Sequence, residues 1–265
     1  MRIGGQIGIW KKGDVKSAIV GMASAGLEGI ETFTTHLEPF YAKPADFSRM
    51  LRDAGISLSG AYFNSTGFVD PAAEKSVLDA AAKACRFLAA VGGGFLVVNG
   101  GISKGDPPRT FSDAEFRQFA KVLNGIGGAA IASGVGAVVH PHLKCMVETP
   151  ADVDRLLASG VDKGKVGLCV HAAHQFLVGA DPYGIYEKHA DWVRYAHIGN
   201  AGQPGGCLIG EGALDQKRLM KPLLAAGFDG WIIIECGKQG VAPADYAADA
   251  IAYLKSTWPS VNWGA

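Results

Sequence analysis

Short apolar runs alternate with longer amphipathic segments along the whole chain. Arg2–Trp10, Leu27–Phe33, Ile56–Phe63, Phe95–Asn99, Gly136–His140, Val166–Val170, Trp192–Ile198 and Trp231–Cys236 read as strands. Each is a short continuous apolar run bounded by turn residues, the pattern of a strand covered on both faces. Helices are predicted between them. Asp14–Ala25 carries Val15, Ile19 and Met22 at helical spacing, with Gly26 as its stop. Phe47, Met50 and Leu51 follow Pro44, and Gly55 closes that segment; Pro71–Val91 places Val77, Ala81 and Leu88 on one face. Ser112 and Glu115 form a capping box before Phe116, Phe119, Leu123 and Ile126. Thr149-Pro150 and Asp181-Pro182 mark two further helix starts, and Leu214–Ala226 and Pro243–Leu254 complete the series.

Eight strands, each followed by a helix, predict an α/β fold: a (β/α)8 TIM barrel forming a single domain over residues 1–265. An open doubly wound sheet shares the alternation, but no GxGxxG follows the first strand and no composition break marks a second domain. In a barrel the chemistry sits where the strands end at their C-termini. The residues expected there are Glu31, Tyr62, Asn64, Asn99, His140, His142, His171, His197, Asn200 and Glu235, with Glu148 and His174 shortly beyond.

Composition narrows the classes. Lys+Arg and Asp+Glu are both 25, so a nucleic-acid or anionic-membrane surface is not expected. Five scattered cysteines without a CxxC pair predict reduced thiols and a cytoplasmic setting. The first residues lack the charge and apolar pattern of a signal peptide, and no run is long enough to span a membrane.

Two glutamates and several histidines converging on one rim suit a borderline divalent ion with mixed nitrogen and oxygen ligands. Each residue also has a plainer reading. Glu148 precedes a helix start, where a carboxylate complements the macrodipole. Glu235 ends the run WIII, where a charge needs a partner. His171 and His174 can be hydrogen-bonded core histidines, His36 reads as a solvated loop residue, and His189 as a helix C-terminal dipole partner.

The segments HPHLKCMVET (140–149), GLCVHAAH (167–174), DPYGIYEKHADWVRYAHIGN (181–200), GEGALD (210–215) and GFDGWIIIEC (227–236) resemble the xylose-isomerase-like barrels, the sugar isomerase/epimerase group. The branch containing inosose dehydratases is the most similar. The resemblance implies one divalent metal ion, manganese first, with iron, cobalt or zinc as alternatives. It implies Glu148, His171, His197 and Glu235 as ligands, with Glu148 and Glu235 also as the acid/base pair. Where the family shows Asp-Thr-Gly-His, this chain has His171-Ala172-Ala173-His174, so an aspartate ligand becomes a histidine. Where the family often has Lys and Asp after the third ligand, this chain has Gly199 and Asn200.

The expected activity is enolisation of a keto-sugar or ketocyclitol, leaning to dehydration by β-elimination, with epimerisation or aldose–ketose isomerisation as alternatives. His142 or His174 is the expected acid for a departing hydroxyl. Lys144, His140, Asn99 and Glu211 are the expected substrate contacts. The partner is a small carbohydrate or cyclitol, and a homo-oligomer is compatible. Endonuclease IV-type hydrolysis is disfavoured by the zero net charge. A non-catalytic partner subunit stays open because of the altered family positions.

Overall fold

A computed structural model describes residues 1–10, 15–235 and 237–264. The strands are β1 (Arg2–Gln6), β2 (Gly29–Phe33), β3 (Ser57–Phe63), β4 (Phe95–Asn99), β5 (Gly136–His140), β6 (Gly167–Val170), β7 (Val193–Ile198) and β8 (Trp231–Ile234). Each pairs in parallel with the next, and β8 returns to β1. That closure excludes the open doubly wound sheet. The helices are α1 (Val15–Ser24), α2 (Thr34–Leu37), α3 (Pro44–Ala54), α4 (Glu74–Val91) and α5 (Asp113–Ala132), then α6 (Pro150–Ala158), α7 (Ala172–Leu177), α8 (Gly184–His189), α9 (Gln216–Ala225) and α10 (Pro243–Thr257). No helix among the described residues is long and apolar enough to cross a membrane.

The local signals explain most boundaries. The Ser112 hydroxyl accepts from Glu115 N–H, and the Glu115 carboxylate accepts from Ser112 N–H, so α5 starts on its capping box. Thr149 and Asp152 do the same for α6, with Pro150 in the first turn. Other boundaries move. The first run stops being a strand at Gln6, where its pairing with β2 and β8 ends, and Ile7–Trp10 closes into a 3₁₀ turn. Asp70 accepts from Ala72 N–H and turns the chain, which delays α4 to Glu74. Asp181 does not cap α8; it accepts from Tyr183 N–H in the turn before. The short helices α2 and α7 carry too few residues to show a period. Asp14, the expected start of α1, and Cys236, the expected end of β8, lie outside the described residues.

Two apolar layers hold the barrel. Val97, Val138, Cys169, Tyr195, Trp231 and Ile233 pack inside it. A larger layer, including Ile30, Leu96, Val139, Leu168 and Ile232, packs outward against the helices. The floor depends on Gly29: a Cβ there would stand 2.5 Å from the Trp231 ring.

Candidate metal centre

Successive strand residues point to opposite faces. Val138, Cys169, Tyr195 and Ile233 point into the barrel. The residues two positions further on therefore point the same way, one layer nearer the C-terminal rim. They are His140, His171, His197 and Glu235. Their ligand atoms all lie within 4.8 Å of one another.

Glu235 Oε2 lies 2.5 Å from His197 Nδ1 and 3.1 Å from His171 Nδ1. Neither contact has the direction of a hydrogen bond, and all three atoms are buried without a hydrogen-bond partner. His140 Nδ1 is 3.5 Å from the Cys169 carbonyl, which leaves its Nε2 as a buried atom without a partner. His197 Nε2 meets Glu31 Oε2 at 2.8 Å. That bond places a proton on Nε2, so Nδ1, which faces Glu235, is the atom a metal would take. A register shift between Ile30 and Glu31 accompanies the inward placement of this carboxylate, which is fully buried. Buried polar atoms without partners are costly. Several of them facing one space, imidazole nitrogens and a carboxylate oxygen, fit a shared divalent cation, which would displace the proton that His197 holds without one.

Electrostatics divides the histidines into two kinds. Burial, reinforced by the neighbouring imidazoles, holds His140 and His174 well below the ordinary histidine range. His142 is also lowered, chiefly by burial. These three keep free lone pairs at neutral pH. Burial opposes charging His197 too, but the Cys169 sulfur and the Glu31 and Glu235 carboxylates around it raise it well above the ordinary value. Burial pushes the Glu235 carboxyl up, yet His197 and His171 hold it well below the usual carboxylate range.

A cavity of about 340 Å³ opens beside this group, lined by Phe33, Tyr62, Asn99, His142, Lys144 and Glu235 among others. Tyr62 Oη donates to Asn99 Oδ1 at 2.6 Å, and Asn99 Nδ2 donates to Asn64 Oδ1 at 3.2 Å. His142 and His174 face each other across ring centroids 4.2 Å apart. Lys144 holds a left-handed backbone (φ 59°) on the cavity wall.

Glu148 stands apart from the ligand group. It follows β5 on the loop to α6, off the inward-pointing layer. Its carboxylate accepts from Lys104 Nζ at 2.5 Å and from the Lys144 backbone N–H at 2.5 Å, strapping the β4–α5 loop to the β5–α6 loop. His140 occupies the place in the group that the resemblance implied for Glu148. Glu211 also lies elsewhere, on the β7–α9 loop, paired with Lys238 at 2.7 Å. Asn200 organises that same loop, accepting from Ala201 and Leu214 N–H and donating to the Ile209 carbonyl. His189 contacts Asp154 Oδ1 at 2.9 Å, a side-chain partner rather than a bare helix end. His36 is half-buried, 3.2 Å from Thr32 Oγ1. Sequence reasoning put Glu31 at a strand end without a role. Its signal was a charge inside the apolar run LEGIETF, where burial demands a partner.

A closed (β/α)8 barrel whose C-terminal rim gathers three imidazoles and a carboxylate defines a TIM-barrel protein with a metal-competent rim. The xylose isomerase-like TIM barrel family matches residues 21–257, and the chain belongs to that family. It is 27% identical to an inosose dehydratase of Lacticaseibacillus casei, over 91% of this chain and 89% of that protein. Among solved structures it is similar to a D-psicose 3-epimerase in the presence of D-fructose. There the TM-score is 0.80 and the identity 15%, over 97% of this chain and 99% of that one. It is also similar to the IOLI protein with a bound zinc atom, with TM-score 0.78 and 14% identity over 98% and 99%. At these identities the structures establish the fold.

Proposed function

We propose that this chain is a divalent-metal-dependent carbohydrate enzyme that enolises a ketocyclitol or keto-sugar and expels water by β-elimination. The observation that carries the reading is the convergence of His140, His171, His197 and Glu235 on one space with their ligand atoms unpartnered. The inosose dehydratase relatives support the substrate class and the elimination. The zinc in the IOLI protein supports a metal on this fold. Three imidazoles with one carboxylate suit zinc, cobalt or iron better than manganese, which prefers oxygen ligands. When bound, such an ion supplies Lewis acidity at a substrate carbonyl.

The chain's own residues do the proton work. His142 and His174 are neutral at neutral pH and face each other beside the cavity. One takes the proton from the carbon alpha to the carbonyl at its bare nitrogen. The freed electron pair becomes the new carbon–carbon double bond. The β carbon–oxygen bond breaks, and the hydroxyl leaves as water with the proton just taken up, returned by that imidazolium or passed on through the neighbouring imidazole. Tyr62, Asn99 and Asn64 offer a hydrogen-bonding wall for the remaining hydroxyls. Glu148 is saturated by Lys104 and Lys144 N–H, so it serves as a strap that holds the Lys144 backbone rather than as a base.

Elemental analysis of the wild type beside His171→Ala tests the reading. One tightly held equivalent, lost in the variant, is expected, together with an absorbance for the unsaturated ketone on incubation with an inosose. Absence of any bound ion after loading with zinc, cobalt, iron or manganese would sink it. Epimerised product without that absorbance would move the activity to the epimerase alternative.

A further inference from the structure

We infer that His140, His142 and His174 form a second transition-metal site at the outer edge of the first, and that filling it captures the imidazoles assigned above to proton transfer. It goes beyond the one-ion reading; the site itself shares only His140 with it, and its inhibitory effect rests on the proton-transfer roles proposed above.

The ligand atoms of these three residues also lie within 4.8 Å of one another. Ring centroids are 4.2 Å apart for His142 and His174, 5.3 Å for His140 and His174, and 5.5 Å for His140 and His142. The free lone pairs can be assigned from the partners. His142 Nδ1 contacts the Leu143 carbonyl at 3.0 Å, so Nδ1 carries the proton and Nε2 is bare. His140 Nε2 and His174 Nδ1 are buried without a hydrogen-bond partner. No carboxylate belongs to this triad.

Topology ties the two groups together. His171 stands at the N-cap position of α7, without a side-chain cap, and His174 lies in the first turn, so one helix start carries a residue of each group. His140 has a single available lone pair and serves one ion at a time. The six residues therefore divide as four and two, or as three and three. Three protein ligands with open positions are enough to hold zinc. An all-nitrogen triad selects zinc, cobalt, nickel or copper over magnesium, calcium or manganese. Without a carboxylate, and in competition for His140, the outer site binds more weakly than the inner one. It fills only in metal excess, and it then occupies the lone pairs needed for acid/base work. Excess zinc is thus expected to inhibit the enzyme.

The test is a zinc and cobalt titration of the chelator-stripped full chain, read by bound equivalents at equilibrium and by cobalt visible absorption. The wild type should bind two equivalents in two phases. His142→Ala and His142→Gln should keep the tight phase and lose the weak one. His171→Ala should weaken the tight phase instead, which separates failure of the inner site from failure of this proposal. Saturation of the wild type at one equivalent would overturn the second site while leaving the inner one standing. Two equivalents retained in both folded His142 variants would also overturn it, because the weak ion would then sit elsewhere.

Discussion

Glu31 offers the sharpest perturbation of the centre, because it lies behind a ligand imidazole rather than in the ligand group. Its carboxylate is fully buried and lies 2.8 Å from His197 Nε2, on the ring edge away from Glu235. The partner of a ligating imidazole fixes its tautomer and raises its basicity, and losing it typically costs about 10–100-fold in metal affinity. That range corresponds to about 1.4–2.7 kcal/mol. Glu31→Gln keeps the shape, and its amide oxygen can still accept from Nε2–H, so only the charge is lost. An affinity drop near tenfold is expected. Glu31→Ala removes the acceptor, lets the ring exchange tautomers, and should approach a hundredfold. Zinc affinity measured by chelator competition checks both, with melting of the metal-free variants recorded alongside. Unchanged affinity in two folded variants, whatever their melting temperatures, would refute the argument and leave Glu31 a packing residue.

Three further outcomes follow from the same geometry. Glu148→Gln should retain the full tightly bound metal equivalent, measured by elemental analysis, because its partners are Lys104 and the Lys144 backbone rather than the ligand group; loss of metal would return Glu148 to the ligand set. Gly29→Ala should destabilise the barrel by about 1–3 kcal/mol, as overpacking does, because the new Cβ would stand 2.5 Å from the Trp231 ring; an unchanged melting temperature would show that the ring has room to move. Asp154 is held below its ordinary value near 3.8 by the Lys188 hydrogen bond and, against the pull of burial, by His189. Its folded value is depressed, so its contribution is present above about pH 4 and lost as the pH falls through the folded value. Wild type and Asp154→Asn should therefore differ in melting temperature at pH 6, with a gap that narrows as the pH falls below about 4, and a gap that stays constant into the acid range would contradict the assignment.

Much of this molecule was readable along the chain. Apolar runs, capping boxes and glycine stops are local signals, and they mark the eight strands and most helices because short-range backbone physics produces both the signal and the element. The inward layer was readable too. Val138 and His140, Cys169 and His171, Tyr195 and His197, and Ile233 and Glu235 each stand two apart, and a strand places such pairs on one face. What periodicity cannot say is how far a residue beyond a strand end will travel. Glu148 resembles a ligand in a linear motif, yet the loop carries it to Lys104, a partner 44 positions away. Glu31 and His197 are separated by 166 positions and meet only because the barrel closes. The β5–β6 pairing and the loops beyond it bring the His142 and His174 ring centroids within 4.2 Å. The sequence by itself determined which side chains face the axis, since that depends on the two-residue period of a strand. Only the tertiary structure decided which of them share a space, since that depends on register, closure and the paths of the loops.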